Sequence, residues 1–254
     1  MNLLYFIIFF LFGTIMGSIY TTIGYRLPVE DKKLFSKFYC DECYHKLNLF
    51  EIIPIFSFIF LKGKCSYCHQ SISKKNILME LFTGILFVFS YYVFGFSYEL
   101  LIALGIVSLL VIVTVSDMTY LVIPDEVLIF FSGYFIIVQY FRLGLNGVFK
   151  HIFIGLFLFF IMYTVMLIGN KIFKRESLGG GDIKMMFLFG LILDLFLGVL
   201  AIFVGSIIAL PMSLFLLYTN KEKVIPFGPF LLIALTIIYF IQIESNTIIS
   251  WFVF

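Results

Sequence analysis

Between Phe196 and Tyr218 the chain reads FLGVLAIFVGSIIALPMSLFLLY, 23 residues without a charged side chain. As a helix rising 1.5 Å per residue it would extend about 35 Å, enough to cross the roughly 30 Å hydrocarbon core of a bilayer. Comparable runs recur at 3–25, 77–95, 98–116, 124–141, 149–170, 184–194 and 228–243. In hydrocarbon, every backbone N–H and C=O must be satisfied within a helix or a closed barrel. Barrel strands would alternate in polarity over about ten residues, and these runs do not alternate. Helices follow.

Composition supports that reading. The chain is 62% hydrophobic and only 13% charged, whereas a soluble domain is nearer half apolar and a quarter charged. The expected fold class is an all-α polytopic membrane protein with about eight transmembrane helices. Asp194, in LILDLFLG, sets the boundary between the sixth and seventh spans. A charge in mid-bilayer is costly, so Asp194 is placed in a turn; without that break the count is seven. The N-terminal run has no basic residue ahead of it and flows into GSIYTTIGYRLP. It is read as a permanent first helix rather than a cleaved signal.

Basic residues orient the spans. With an even number of spans, the segments 26–75, 171–184 and 221–223 share one side, which carries fifteen Lys and Arg. The other side keeps Arg142 and Lys150. Positive charge marks the cytoplasmic face, so the three segments are expected in the cytoplasm and both termini outside.

The 26–75 segment is the one sizeable polar region, and it holds all four cysteines. Cys40 and Cys43 stand in CDEC, Cys65 and Cys68 in CSYC, with 21 residues between the pairs. Two C-x2-C units at such a spacing fit four-thiolate zinc coordination. Disulfides would need an oxidising compartment, at odds with the charge asymmetry; four unligated thiols would leave the doubled spacing without a purpose. His45 and His69 lie beside the cysteines, but four thiolates already complete a tetrahedron. Such a zinc is structural, since closed coordination leaves no place for water. The expected organisation is a first helix over 1–25, a small cytoplasmic zinc-binding loop domain over 26–76, and a transmembrane domain over 77–254.

Carboxylates gather at membrane ends on the cytoplasmic side. Asp117 ends the third span in VTVSDMTYLVIPDEV, where the helix dipole disfavours an anion. Asp125 and Glu126 follow Pro124, where acidic residues complement a helix N-terminus, so for Asp125 a structural and a functional role are equally open. Asp182 opens the sixth span behind Gly179, Gly180 and Gly181. An N-cap would account for the aspartate; three successive glycines suggest close backbone approach at positive φ. Lys184, two residues on, stands near enough in sequence to act on Asp182, or serves as a membrane anchor. Glu51 and Glu80, beside the cytoplasmic face, are read either as contacts for a basic segment of a substrate or as solvated charges at the membrane interface, His151 as an anchor near the outer face, and PFGP (226–229) as a break before the last span.

Asp117 and Asp182 lie near one leaflet and can meet across a helix bundle. Two facing carboxyls share a proton, one ionised and one neutral. The ionised member can take a proton from water while the neutral one polarises a peptide carbonyl.

These residues carry a resemblance to the prepilin peptidases, the type IV leader peptidase family of GxGD membrane aspartic proteases. GSIYTTIGYRLP (17–28) is similar to a GSFLNVVIYRLP block, with IYT in place of FLN. The stretch from CDEC to CSYC (40–68) resembles the family's cysteine domain, without the proline of C-P-x-C. ILMELFTG (77–84) resembles a P-x-x-E-L block lacking its proline. SDMTYLVIPDEV (116–127), GGGDIKMM (179–186) and IPFGPFL (225–231) resemble the D-x5-I-P-D segment, GxGDxK and a PFGPFL block.

The resemblance covers nearly the whole chain and implies catalytic aspartates at Asp117 and Asp182, with Asp125 in support, and zinc on Cys40, Cys43, Cys65 and Cys68. It implies a multi-pass protein of the bacterial inner membrane with its site facing the cytoplasm. Its substrates would be precursors of type IV pilins, pseudopilins and competence pilins, cut behind a short basic leader. Many members also methylate the new N-terminus with S-adenosylmethionine, although no stretch of this sequence marks a methyl-donor pocket. The expected partners are those precursors and the lipid bilayer, with no nucleic acid.

Two rival classes are weighed beside it. An ion-coupled carrier would place acids deep within spans and often shows repeats, and neither is visible here. A zinc-bearing scaffold would have no use for paired aspartates.

Overall fold

The computed structural model of the protein describes residues 3–29, 43, 67–68, 74–174, 178–218 and 225–242. Among these, all regular structure is helical. The chain divides into two compact units, Met1–Phe96 and Ser97–Phe254.

The first unit is a helical pair. Helix α1 (Leu3–Arg26) continues into a 3₁₀ turn (Leu27–Val29), and α2 (Lys74–Phe94) packs along it. Small residues explain the fit. Gly13, Thr14, Gly17, Thr21 and Gly24 form the buried stripe of α1. A Cβ at Gly13 would stand 2.9 Å from Gly84 Cα, and one at Gly17 would stand 2.9 Å from Glu80 Cα. Lipid offers no hydrophobic drive for one helix to leave it for another, so close backbone approach supplies the attraction. The hydroxyls in this seam are satisfied locally: Thr14 donates to Leu11 O, Thr83 to Met79 O and Ser90 to Leu86 O. Farther along, Phe9 stacks on Tyr91 with ring centroids 4.7 Å apart.

The second unit contains α3 (Tyr98–Tyr120), α4 (Asp125–Phe173), α5 (Gly180–Ile192), α6 (Leu195–Tyr218) and α7 (Gly228–Ile241). Its core centres on α3, whose Ile102, Ile106, Val107 and Leu109 are fully buried. Ser97 caps α3, its hydroxyl accepting from Leu100 N–H at 3.2 Å. At the other end Leu121 takes the left-handed conformation and returns its N–H to Asp117 O. The spans expected at 124–141 and 149–170 are joined without a loop. A straight helix of 49 residues would be about 74 Å long, more than twice the hydrocarbon core. It is broken at Gly144, where φ 71° and ψ −176° leave the helical region, a conformation cheap only for glycine.

Helices α5 and α6 part at Leu193–Asp194, so Asp194 lies between them as its charge requires, paired with Lys150 at 3.0 Å. Among the described residues five helices are long and apolar enough to cross a membrane: Leu3–Val29, Asn76–Phe94, Tyr98–Tyr120, Asp125–Phe173 and Leu195–Phe215. At 13 and 14 residues, α5 and α7 are shorter than a full crossing.

Candidate active site

Three helix ends and one short connection build the site, all within the second unit. Asp117 sits in the last turn of α3, 6% exposed. An anion there faces unpaired carbonyls and gains nothing from its own helix. Compensation comes from elsewhere: the backbone N–H of Gly228, first residue of α7, donates to Asp117 Oδ2 at 3.1 Å. A helix N-terminus thus points a free donor at the carboxylate.

Asp182 lies in the first turn of α5 behind the N-cap residue Gly179, and is 8% exposed. Its Oδ1 is buried with no hydrogen-bond partner among the described residues. The charge acting on it is that of Asp117. The two aspartates expected to meet stand near enough for the charge of one to act on the other.

Ile123, from the connection between α3 and α4, fills the space between two glycines. A Cβ on Gly181 would stand 2.8 Å from Ile123 Cβ, and one on Gly228 would stand 3.0 Å from Ile123 Cδ1 and 3.1 Å from Asp117 Oδ2. The glycine run needs a correction here. Gly179 has φ −69°, and Gly180 and Gly181 are helical; among the described residues the positive-φ glycines are Gly95 and Gly144. Missing side chains at Gly179 and Gly181, not left-handed backbone, explain those two positions. At Gly179 a Cβ would approach Asp182 Oδ2 to 3.0 Å, while at Gly180 nothing lies within 4 Å.

Lys184 also departs from expectation. Its ammonium grips both carboxylate oxygens of Asp125, at 2.7 and 2.6 Å, rather than Asp182. One helical turn is 3.6 residues, so a side chain two positions on leaves the helix on another face. The pair is about half exposed and ties the start of α4 to α5.

Other polar residues take places that the sequence did not suggest. His151 is buried, not an outer-face anchor, and its Nδ1 lies 3.0 Å from Gly190 O. That carbonyl can only accept, so Nδ1 carries the hydrogen. Gln139 Nε2 donates to Leu191 O at 2.8 Å. Both carbonyls belong to the last turn of α5, where helical partners run out. Two side chains of α4 thus close the far end of the helix that presents Asp182. Glu80, in the first unit, is buried as well, hydrogen-bonded to Ser18.

Of the four cysteines, Cys43 and Cys68 are described and exposed; Cys40 and Cys65 lie outside the described residues, as do Glu51, His45 and His69. Among the described residues no group of three or more His, Cys, Asp or Glu is arranged to hold a metal ion.

Two buried carboxyls that sense each other, one with a backbone donor and one with an unused oxygen, are equipped for acid–base chemistry on a bond placed between them. Known proteins point the same way. The model of the bacterial peptidase A24 N-terminal domain matches residues 11–94, and that of the type IV leader peptidase family matches residues 104–214. The prepilin leader peptidase/N-methyltransferase of Bacillus subtilis (strain 168) is 31% identical over 97% of this chain and 97% of its own length. The protein of the same name from Myxococcus xanthus is 32% identical over 70% of this chain and 53% of its own length, and that of Vibrio cholerae 26% identical over 94% and 98%. No solved structure matches. This chain belongs to the type IV leader peptidase family.

Proposed function

We propose that the protein is a membrane-embedded aspartic endopeptidase that removes the short basic leader from prepilins, pseudopilins or competence pilins, and that it also N-methylates the new terminus. The observation that carries the reading is the convergence of Asp117 and Asp182, from opposite kinds of helix end, into one buried pair. The Gly228 N–H supports Asp117 as the charged member. The unpartnered Oδ1 suits Asp182 to hold the shared proton. Asp117 then takes a proton from water, whose oxygen attacks the scissile carbonyl carbon. Asp182 gives its proton to the carbonyl oxygen; the C–N bond then breaks as Asp117 passes its proton to the amide nitrogen and Asp182 takes one back from the diol. Gly179 and Gly181 keep the carboxyl and Ile123 free of crowding. The test is cleavage of a pilin precursor by the purified protein in detergent.

Asp125 and Lys184 support the site by tethering α4 to α5. Exposed ion pairs contribute about 0–1 kcal/mol. Asp125→Asn should therefore keep cleavage within roughly tenfold of wild type, measured in the same assay; complete loss would make Asp125 a catalytic group.

The remaining features are inferred from the sequence pattern. The sequence pattern would place eight passes in the chain, with the 26–76 segment and the aspartates on the cytoplasmic side of the inner membrane. Cys40, Cys43, Cys65 and Cys68 would hold one structural zinc in the 26–76 domain, leaving the peptidase chemistry to 77–254. Metal analysis should then find about one zinc per chain, lost on combined Cys40→Ser and Cys65→Ser replacement. S-adenosylmethionine would supply the methyl group. The carrier reading gains no support from relatives named for leader cleavage and methylation.

A further inference from the structure

The aspartate pair, its glycines and its hydrogen-bond donor all belong to the second unit, and none of that machinery explains the buried carboxyl of the first. Among the described residues of Met1–Phe96 the buried polar side chains are Thr14, Thr21, Glu80, Thr83 and Ser90, and of these Glu80 alone ionises. It stands in the second turn of α2, 6% exposed, directly across the seam from Gly17. Its hydrogen-bond partner is the Ser18 side chain, while Ser18 O accepts from Thr21 and Thr22 at 3.0 and 2.9 Å.

A helix seam of glycines and threonines does not need an acid to hold it together. Joining Ser18 would take only a neutral amide or hydroxyl. An ionisable group within a membrane helix is costly, and such residues mark sites where a charged or proton-bearing partner is met. Glu80 is about 9 Å along the helix axis from Lys74, where α2 begins. It is thus near a membrane end rather than the bilayer centre.

We propose that Glu80 is the group that receives the newly exposed α-amino terminus of the cleaved substrate and takes its proton before methyl transfer; this rests on the N-methylating activity proposed above. An α-amino group with a pKa of about 7.7–8.0 is mostly ammonium at neutral pH, and its nitrogen has no free lone pair. The Glu80 carboxylate accepts one proton, leaving a neutral amine. The nitrogen lone pair forms a bond to the methyl carbon of a sulfonium donor. The carbon–sulfur bond breaks with its electrons going to sulfur, and the product is a secondary ammonium and a neutral thioether. Ser18 holds the carboxyl in place for the first step.

The test is Glu80→Gln, which keeps size and the Ser18 hydrogen bond but cannot take a proton. In detergent with a pilin precursor and S-adenosylmethionine, the variant should cleave within about twofold of wild type. The added methyl mass on the product should fall by about a hundredfold or more. A second measurement uses no methyl donor: binding of an apolar peptide with a free α-amine against its N-acetylated form. Wild type should prefer the free amine by about tenfold or more. Glu80→Gln should erase that preference and Glu80→Asp should keep part of it. Wild-type methylation by Glu80→Gln, equal loss of cleavage and methylation, or an unchanged amine preference would each overturn the assignment. If wild type itself leaves its product unmethylated, the methylation reading fails, and the assignment of proton transfer falls with it. The peptide measurement then shows separately whether Glu80 binds amines.

Discussion

Asp117→Asn and Asp182→Asn are each expected to abolish leader cleavage, by at least about 10²–10⁴-fold, while the protein remains folded in detergent. Asparagine has nearly the same shape as aspartate but can neither take a proton from water nor give one to a carbonyl. Stability should hardly change. In the Asp117→Asn variant the side-chain amide oxygen can still accept from the Gly228 N–H, which now meets Asp117 Oδ2 at 3.1 Å. At position 182 the buried Oδ1 has no hydrogen bond to lose. Precursor cleavage followed by mass spectrometry, with thermal melting of the same preparations, checks both halves. Full cleavage by Asp182→Asn would remove the proposed mechanism.

The second large effect is expected far from the aspartates. Gly190→Ala puts a Cβ 2.3 Å from Gly155 N, 2.4 Å from Gly155 Cα and 2.6 Å from Ile154 C. All three are backbone atoms, so no side chain can swing aside, and α4 and α5 must separate. Overpacking of this kind costs about 1–3 kcal/mol, and occasionally more. It also pulls Gly190 O from His151 and Leu191 O from Gln139, the contacts that hold the end of α5. Since α5 carries Asp182 in its first turn, a displacement of about 1 Å is expected to lower cleavage by roughly a hundredfold. Gly180→Ala, in the same helix with nothing within 4 Å of its Cβ, should melt and cleave as wild type. Equal behaviour of the two variants would show that the Gly155–Gly190 contact does not position the site.

Much of this was legible in the chain. Uninterrupted apolar runs specified helices, because hydrocarbon leaves the backbone no other partner. Asp194 announced the break between α5 and α6 by its cost in the bilayer. Asp117 stood out as an anion at the wrong end of a helix, and Asp182 as one behind a glycine run. The glycine run was legible as a place of close backbone approach but not as a conformation. Nothing local distinguishes a glycine needed for positive φ from one needed to admit Ile123.

What the sequence determined by itself is whatever depends on one helix and its solvent: the helical class, the apolar runs, and the break at Asp194. Tertiary structure decided the pairings. The donor that meets Asp117 is 111 positions away, Lys184 reaches Asp125 across 59, and His151 reaches Gly190 across 39. Such contacts depend on which helix faces turn towards each other. In lipid, which is as apolar as leucine, hydrophobic pattern does not set those faces; close packing at small residues such as Gly155 and Gly190 does.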